Sequence, residues 1–376
     1  MKKTNLLLSI LFCVFFGAMM LLFFIMPKQE FSQNEKRVLE KMSEFSFKSL
    51  ADGSWFSQMD TYFSDHFFGR DFWVGLNAYR NQFIGLNSAG DIYKGKDGWL
   101  IEKPIQKNDL FKQNIQSIEQ FVKSNENQNI YFMAVPTKGY VMQDKLPSLH
   151  DEYPDSQLLS QLKSLLGDRV GWIDVASTLK QNKDKDVFYK TDHHWTSEGA
   201  YLAYNKAGDV MGFKPKAKSE YNIESYDGFY GTSYSKSGLW ETKPDKISLW
   251  EDKSQNVNVT ITDDNMPKAI TQDSVFFKDN LKEADKYPVF LDGNHSLVSL
   301  KSDAKSDKKL LVIRDSFAHC LSPFFVGEYS QIDLVDIRYY KKQTVSELIN
   351  QNKYDDILFV YGLDTLATDR SLQWLE

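Results

Sequence analysis

An uninterrupted apolar run near the start of the chain constrains its fold more than any other feature. From Leu6 to Met26 the sequence contains no charged residue, and the next charge is Lys28. About 20 consecutive apolar residues are enough to cross the hydrocarbon core of a bilayer as a helix. The sequence therefore predicts that residues 1–27 are a transmembrane anchor.

The flanks of this run favour an uncleaved anchor over a secretory signal peptide. A signal peptide has a shorter apolar core of about 7 to 15 residues that ends near small residues, and Ile25-Met26-Pro27 offers no such site. Lipidation of Cys13 is disfavoured because the bulky Phe12 precedes it. Lys2 and Lys3 precede the run, so the positive-inside rule leaves the N-terminus in the cytoplasm. We therefore expect a single-pass protein of the cell membrane with an extracytoplasmic domain.

Composition narrows the class of this domain. The sequence is 42% hydrophobic and 14% aromatic, which is typical of a globular protein. A net charge of -6 without a basic run argues against nucleic acid as a partner. The cysteines are Cys13, inside the apolar run, and Cys320, so no disulfide framework is expected. The domain must rely on an ordinary hydrophobic core.

The residues after the anchor divide into a stalk and a large domain. Residues 28–53 are polar and predict a stalk with a short helix at Asn34–Met42. Residues 54–376 form the predicted catalytic domain. It begins with an aromatic segment, Trp55–Phe83, whose apolar residues recur at spacings of three and four, as in amphipathic helices.

The remainder of the domain alternates between strand and helix patterns. Short apolar runs typical of buried parallel strands occur at Asn129–Val135, Val170–Val175, Leu310–Ile313, Ile332–Ile337 and Ile357–Tyr361. Helical patterns occur at Asn114–Ser124, Ser156–Leu166, Ser197–Met211 and Thr344–Asn350. This order predicts an α/β fold with a doubly wound parallel sheet, in which ligands bind at the carboxyl ends of the strands. Residues 212–308 break the alternation and predict an insertion of loops and β-hairpins.

The tetrapeptide Asp192-His193-His194-Trp195 is the sharpest local motif. In an extended segment residues i and i+2 point to the same side. Asp192 and His194 are therefore expected to face one cavity, as an orienting acid and a general base, while His193 points away. No metal site is predicted, because adjacent histidines in a strand diverge and neither a cysteine nor an H-E-x-x-H helix supplies further ligands.

Ser316 is the predicted nucleophile. It follows the apolar strand that ends at Arg314 and Asp315, where the chain is expected to turn into a helix. Free N–H groups at a helix start can hold an oxyanion, and a histidine is needed to activate a serine hydroxyl. A plain helix N-cap is the structural alternative for Ser316. His319, one turn later, is a rival base, although no acid stands at a spacing that would orient it.

Four further residues are candidates for binding substrate. Lys138, Arg338 and Tyr340 each follow a predicted strand, and Trp195 offers an aromatic face for a sugar. The structural alternatives are an ion pair or rim position for the first three and a core position for Trp195.

The order of these motifs resembles a known family. Asp-x-His followed much later by Asp315-Ser316-Phe317 is similar to the SGNH-like acyltransferases of the AlgJ/AlgX type and to the Gram-positive DHHW family, named after the tetrapeptide at 192–195. Other segments that resemble this family are Phe31–Arg37, Tyr62–Asp71, Gly95–Leu100, Val135–Lys138, Lys145–Pro147 and Asp336–Tyr340. Arg314 departs from the pattern, since a glycine commonly precedes the Asp-Ser pair.

The resemblance implies an SGNH-hydrolase-like domain with a triad of Ser316, His194 and Asp192. It implies an acyl-serine intermediate and transfer of an acyl group, most simply acetyl, to a hydroxyl of a cell-surface or secreted polysaccharide. It also implies a partner, a membrane-bound O-acyltransferase that supplies acyl groups, and no cofactor. A carbohydrate esterase and a non-catalytic, glycan-binding component of a biosynthetic complex remain open. The amide of Ser316 is the one oxyanion donor that the sequence assigns.

Overall fold

The computed structural model describes residues 2–106, 108–264 and 266–376. Met1, Lys107 and Asn265, which belong to the predicted anchor, domain and insertion, lie outside the described residues. The chain divides into two compact units. The first comprises the residues up to 90 together with 234–241, and the second comprises 91–233 and 242–376.

The first unit is mainly helical. Its elements are α1 (Lys2–Ile25), β1 (Phe31–Ser32), β2 (Arg37–Val38), α2 (Phe47–Ala51), α3 (Ser54–Asp65), α4 (Arg70–Phe83) and β3 (Ser88–Ala89). Within the described residues, α1 is the one helix that is long and apolar enough to cross a membrane. The predicted apolar helix and the predicted amphipathic helices over 55–83 are therefore present.

The helix predicted at 34–42 is wrong, because this segment forms the β1–β2 hairpin instead. Arg37 in β2 donates hydrogen bonds to Glu35 and to the carboxylate of Asp65 in α3, and Arg70 of α4 also pairs with Glu35. The hydrogen bond from Arg37 lowers the pKa of Asp65 to about 2. These tertiary ion pairs outweigh a weak helical pattern in which charges outnumber apolar residues.

The second unit contains the central sheet. Its strands are β4 (Ile92–Lys94), β5 (Leu100–Glu102), β6 (Asn129–Val135), β7 (Gly171–Trp172), β8 (Asn222–Phe229), β9 (Asp245–Glu251), β10 (Val257–Thr262), β11 (Ile270–Gln272), β12 (Leu297–Ser302), β13 (Lys309–Arg314), β14 (Gln331–Val335) and β15 (Asp356–Gly362). Its helices are α5 (Asp109–Ser124), α6 (Lys138–Val141), α7 (Asp155–Leu166), α8 (Val175–Gln181), α9 (Ser197–Met211), α11 (Phe317–Phe325), α12 (Val345–Asn352) and α13 (Leu363–Thr368), and α10 (Thr232–Ser237) begins in it.

The sheet has the strand order β11-β10-β12-β14-β13-β15-β6-β7. Strands β14, β13, β15, β6 and β7 are parallel to one another, as predicted. The insertion contributes more than loops and hairpins. Its strands β10, β11 and β12 continue the sheet in antiparallel orientation beside β14, while β8 and β9 pair as a separate hairpin. The α/β fold is therefore confirmed, and its sheet is mixed.

Both faces of the parallel strands are buried. Along β13, Leu310 and Val312 belong to one hydrophobic cluster, and Leu311 and Ile313 belong to the other. Because successive side chains of a strand point to opposite faces, this alternation requires a core on each side of the sheet. It explains why the strands read as continuous apolar runs.

The register of the sheet brings several chain segments to one edge. Val135 at the end of β6 is opposite Gly362 at the end of β15, and Arg314 at the end of β13 is opposite Val360. The residues that follow these strands therefore meet at the carboxyl edge. Ser316 lies there, at the start of α11.

Candidate active site

The loop that carries the Asp-His-His-Trp motif is closed by short-range contacts. Phe188 and Trp195 form an antiparallel bridge on either side of it, and the amide of Tyr189 donates to the carbonyl of His194 over 3.2 Å. Thr196 then caps α9 by accepting a hydrogen bond from the amide of Gly199. The loop is fixed at both ends, which restricts the positions of its side chains.

The structure brings Asp192, His194 and Ser316 together. Oδ1 of Asp192 lies 2.6 Å from Nδ1 of His194, and Nε2 of His194 lies 2.8 Å from Oγ of Ser316. Asp192 and His194 are buried, and Ser316 is partly exposed. This chain of contacts has the form needed for an acid to orient a base and for the base to activate a hydroxyl.

The expected extended geometry of this motif is wrong. Residues 191–194 form a bend, and the rings of His193 and His194 lie against each other with their centroids 3.8 Å apart. Asp192 and His194 meet because the amide of His194 also donates to Oδ1 of Asp192 over 2.8 Å. The close pairing therefore arises from a tight local turn rather than from alternation along a strand.

A second oxygen of Asp192 is held by the insertion. Oδ2 of Asp192 accepts hydrogen bonds from the amide of Thr232 at 2.7 Å and from its hydroxyl at 3.2 Å. Burial by itself would raise the pKa of Asp192, but the charges of His194 and His193 and the hydrogen bonds from the ring and amide of His194 hold it well below its usual range. The carboxylate is therefore ionised and fully hydrogen-bonded.

Ser316 occupies the N-cap position of α11 without acting as its cap. Its side chain makes no capping hydrogen bond, and the neighbouring Asp315 supplies one instead. Oδ1 of Asp315 accepts from the amide of Phe317 at 3.0 Å, and Oδ2 accepts from the amide of Gly362 at 2.7 Å. Burial, and secondarily the charge of Asp364, raises the pKa of Asp315 to about 6. Asp315 thus leaves the hydroxyl of Ser316 available to His194.

The contacts of Asp315 also reduce the number of free amides that could stabilise an oxyanion. The amide of Phe317 in the first turn of α11 is already bonded to Asp315, so it is not one of the free donors expected there. The amide of Ser316 stays the predicted oxyanion donor.

Tyr287 and Thr232 are site residues that the sequence did not identify. The ring of Tyr287 stacks on the imidazole of His194, with centroids 3.9 Å apart and planes inclined by 9°. Its hydroxyl donates to the carbonyl oxygen of Ser316 over 3.3 Å. Both residues belong to the insertion. The sequence offers one hint of their position: the insertion lies between the Asp192–Trp195 motif and Ser316 along the chain.

The rival base His319 is paired in a way that disfavours proton uptake. Its Nε2 contacts Nη1 of the buried Arg314. Burial, followed by the charge of Arg314, lowers the pKa of His319 well below its ordinary value. Arg314 itself reaches Asp336 at 3.5 Å and the carbonyl of His295 at 3.2 Å. Arg314, which stands where a glycine was expected, is therefore a buried residue that connects three neighbouring segments.

Three of the four residues predicted to bind substrate are buried, so the prediction for them is wrong. Nζ of Lys138 donates to the carbonyl of Asp192 at 2.7 Å and to Ser233 at 3.1 Å, behind the motif. Trp195 is buried, and its indole donates to the carbonyl of Phe317, so its face is not open to a sugar. Tyr340 packs into the hydrophobic cluster that contains Ile313.

Arg338 is the fourth candidate and keeps a partly exposed side chain. Its guanidinium forms a two-pronged contact with Asp336, at 2.9 and 2.6 Å. Burial opposes the charge, but the hydrogen bonds and charge of Asp336 raise the pKa of Arg338 above its ordinary value. Its role in substrate binding stays a prediction.

Asp192, His193 and His194 also form a cluster in which one ligand atom from each lies within 4.8 Å of the others. The argument that adjacent histidines diverge is therefore wrong here. The atoms are engaged within the protein, however: Nδ1 of His194 with Asp192, and Nδ1 of His193 with the hydroxyl of Thr232 at 2.6 Å. The geometry favours the hydrogen-bonded triad over a metal site.

Two protein-family models match the chain. The model described as SGNH hydrolase-like domain, acetyltransferase AlgX, matches residues 92–226, and the model described as DHHW protein matches residues 35–129. The resemblance inferred from the sequence motifs is confirmed. No match to a curated protein was found.

Solved structures share the fold at low sequence identity. PatB1 from Bacillus cereus, solved with a sulfonyl adduct, has a TM-score of 0.65 and 22% identity, over 76% of this chain and 98% of that one. A DHHW family protein from Eubacterium siraeum has a TM-score of 0.64 and 22% identity, over 74% and 92% of the two chains. Together with the family models, these similarities show an SGNH-like α/β fold.

Replacing Gly231 by alanine is expected to disrupt the site. A Cβ at Gly231 would overlap the Cβ and carboxylate of Asp192, so Asp192 must move. A displacement of about 1 Å in such a constellation costs about 100-fold in rate. We expect kcat for an acyl ester to fall by this order in Gly231→Ala. The matched control is Gly327→Ala, whose new methyl group meets mainly the flexible end of Lys216; an equal loss there would contradict the interpretation.

Lys138→Met is expected to destabilise the fold. Nζ of Lys138 is 3.4 Å from the carboxylate of Glu102. Burial would raise the pKa of Glu102, but the charges of Lys138 and His193 keep it below the ordinary value. Loss of the ammonium leaves this carboxylate without its cation, with the hydroxyl of Ser233 still donating to it, and should lower the free energy of unfolding by about 3 kcal/mol in urea titrations. Lys138→Met/Glu102→Gln should recover part of the loss, and a double variant no more stable than Lys138→Met would contradict the pairing.

Proposed function

We propose that this protein is an extracytoplasmic O-acyltransferase, most simply an O-acetyltransferase, that modifies a cell-surface or secreted polysaccharide through an acyl-serine intermediate. The observation that carries the proposal is the continuous contact from Asp192 through His194 to Ser316, with distances of 2.6 and 2.8 Å. The AlgX-type family model supports the choice of acyl transfer.

The first half-reaction forms the acyl-enzyme. Oγ of Ser316 attacks the carbonyl carbon of the acyl donor while Nε2 of His194 takes the hydroxyl proton. Asp192 stabilises the resulting imidazolium and holds its tautomer through Nδ1. The oxyanion faces the amide of Ser316. His194 then gives its proton to the departing oxygen as the bond between the carbonyl carbon and the leaving group breaks.

The second half-reaction transfers the acyl group. His194, now neutral, takes the proton of a sugar hydroxyl, whose oxygen attacks the carbonyl carbon of the acyl-serine. The bond to Oγ of Ser316 breaks, and the proton held by His194 returns to that oxygen. Water in place of the sugar gives hydrolysis by the same steps, so the choice between transferase and esterase lies in acceptor binding rather than in these three side chains.

The membrane location belongs to the same proposal. The apolar helix α1 serves as an uncleaved single-pass anchor that holds the domain at the outer surface of the membrane. The acyl groups come from a membrane-bound O-acyltransferase, and the acceptor is a polysaccharide outside the cytoplasm. Support comes from the length and composition of α1 and from the family resemblance.

Substitution of the triad is expected to abolish acyl transfer. Ser316→Ala and His194→Ala should each lower kcat/KM for an activated acetyl ester by about 10⁴-fold or more, because such residues act as a unit. A sulfonyl fluoride should label Ser316, as detected by peptide mass spectrometry, with sulfur bonded to Oγ and fluoride released. Added polysaccharide should increase the share of acetyl groups recovered on sugar rather than as acetate.

His193→Ala is the matched control, since the ring of His193 neighbours His194 without contacting Ser316. We expect a loss of no more than about tenfold. An equal loss in both histidine variants would overturn the choice of His194 as base. Label on a residue other than Ser316 would overturn the nucleophile, and acetate as the sole product at saturating glycan would favour the esterase.

The pH profile of kcat/KM should show activity falling as the solution becomes more acidic, because a protonated His194 cannot accept a proton. Asp192, whose pKa lies well below its usual range, stays ionised through this interval and does not cause the loss. Melting temperatures over the same range provide a control. Asp315, with its pKa raised to about 6, favours the folded state below that pH and loses this contribution as pH rises. A rate that rises on acidification would contradict His194 as base.

A further inference from the structure

We propose that helices α3 and α4 carry an aromatic surface that lies in the outer leaflet of the same membrane that α1 spans. This aromatic surface consists of Phe56 and Phe63 of α3 and of Phe72, Leu76 and Phe83 of α4. The inference rests on the proposed membrane location of α1 and is independent of the proposed acyl transfer.

The spacing of these residues gives each helix a second apolar stripe. Residues seven apart lie on nearly the same side of an α-helix. In α3, Phe56 and Phe63 are seven apart and exposed, while Met59 is buried. In α4, Phe72, Leu76 and Phe83 are four and seven apart and form a continuous exposed stripe. These helices therefore present an apolar stripe to their surroundings in addition to the side that packs inward.

The extent of exposure is unusual for a globular protein. The side chain of Phe72 is 63% exposed and that of Phe83 is 91% exposed. In the described part of the second unit, the exposed large apolar residues are far apart in sequence: Leu149, Ile223, Ile270, Tyr339 and Trp374. Contiguous exposed apolar surfaces mark sites of interaction. In the first unit, by contrast, the exposed aromatic residues after Phe31 all fall between Phe45 and Phe83, a segment of fewer than 40 residues.

Contacts with α1 indicate that lipid covers this aromatic surface. The ring of Phe23 in α1 lies 5.3 Å from that of Phe63, and the ring of Phe15 lies 6.3 Å from that of Trp73 in α4. Phe15 lies about 12 Å further along α1 than Phe23, so the contacts extend from the headgroup level toward the acyl chains. A bilayer that surrounds α1 must then also meet the side chains that adjoin it. Aromatic residues are favoured at the level of the lipid headgroups.

Arg37 and Arg70 near this surface are paired within the protein, whereas Arg80 of α4 is exposed between Leu76 and Phe83 and donates to the side chain of Asn81. Arg37 contacts Glu35 and Asp65, and Arg70 contacts Glu35. Because Arg37 and Arg70 are neutralised and phosphatidylcholine carries no net charge, we expect the contact with such a membrane to depend mainly on apolar burial. Such a contact is insensitive to salt, unlike binding through a basic patch.

The test places a fluorescent probe on the surface in the full-length chain, reconstituted in phosphatidylcholine vesicles. Cys13 is replaced by alanine; Cys320 is buried, which raises the pKa of its thiol to about 12 and makes it unreactive. Phe83→Cys and Phe56→Cys are labelled with an environment-sensitive dye. Leu149→Cys, at a side chain that is 80% exposed in the second unit, is the matched control.

The expected result is a blue-shifted emission at positions 83 and 56 that lipids brominated on their acyl chains quench at least twofold, equally in 50 and 500 mM salt. The probe at 149 should show neither effect. Probes at 83 and 56 as hydrated as the one at 149 would overturn the proposal. A shielded probe that bromine does not quench would indicate a protein partner or a second copy, and would also overturn it.

The same preparation separates this inference from the proposed function. Mass spectrometry of the membrane-extracted protein shows whether α1 is retained, and its loss would overturn the membrane location together with this surface. Acetyl-ester turnover is measured on the labelled variants. Quenching without turnover supports the surface and contradicts the enzyme, whereas turnover without quenching does the reverse.

Discussion

The buried carboxylate of Asp192 is the interaction on which the candidate site depends. One of its oxygens meets the ring and amide of His194, and the other accepts two hydrogen bonds from Thr232 of the insertion. Lys138 fixes the same residue from behind through its carbonyl. A loop, an insertion and a helix that follows a central strand therefore converge on one residue. Because a buried charge must be fully hydrogen-bonded to be tolerated, each of these segments constrains the others.

The central sheet positions Ser316, again through the contacts of one buried carboxylate. Asp315 connects the end of β13 to the end of β15 and caps α11, so the adjacent Ser316 is left with its hydroxyl directed to His194. Arg314, one residue earlier, is buried against His319, Asp336 and the carbonyl of His295. The turn that exposes Ser316 is thus stabilised from both sides of the sheet edge without a glycine at position 314.

The sequence predicted those parts of the structure that local periodicity determines. The strand at Asn129–Val135 was located to the residue, and the helix at Ser197–Met211 likewise, because both combine a clear apolar pattern with turn residues at their ends. The hairpin at 31–38 was missed because ion pairs with α3 and α4, distant in sequence, decide its conformation. At the candidate site, the types and order of Asp192, His194 and Ser316 in the sequence suggested that they act together, and the structure brings them into contact. Thr232 and Tyr287 were not identified, since no local pattern marks a residue that reaches the site from an insertion. Trp195 and Tyr340 were misjudged because a position after a strand does not specify burial.

The stack of Tyr287 on His194 links the insertion to the electronic properties of the base. An aromatic face is electron-rich and attracts a cation placed against it. A proton transferred to His194 would therefore create a positive charge between the carboxylate of Asp192 and the π cloud of Tyr287. The same insertion is followed directly by β13, the strand that leads to Ser316. Substitutions in this insertion would therefore change two things together: the hydrogen bonds that hold Asp192, through Thr232, and the surroundings of the His194 ring, through Tyr287.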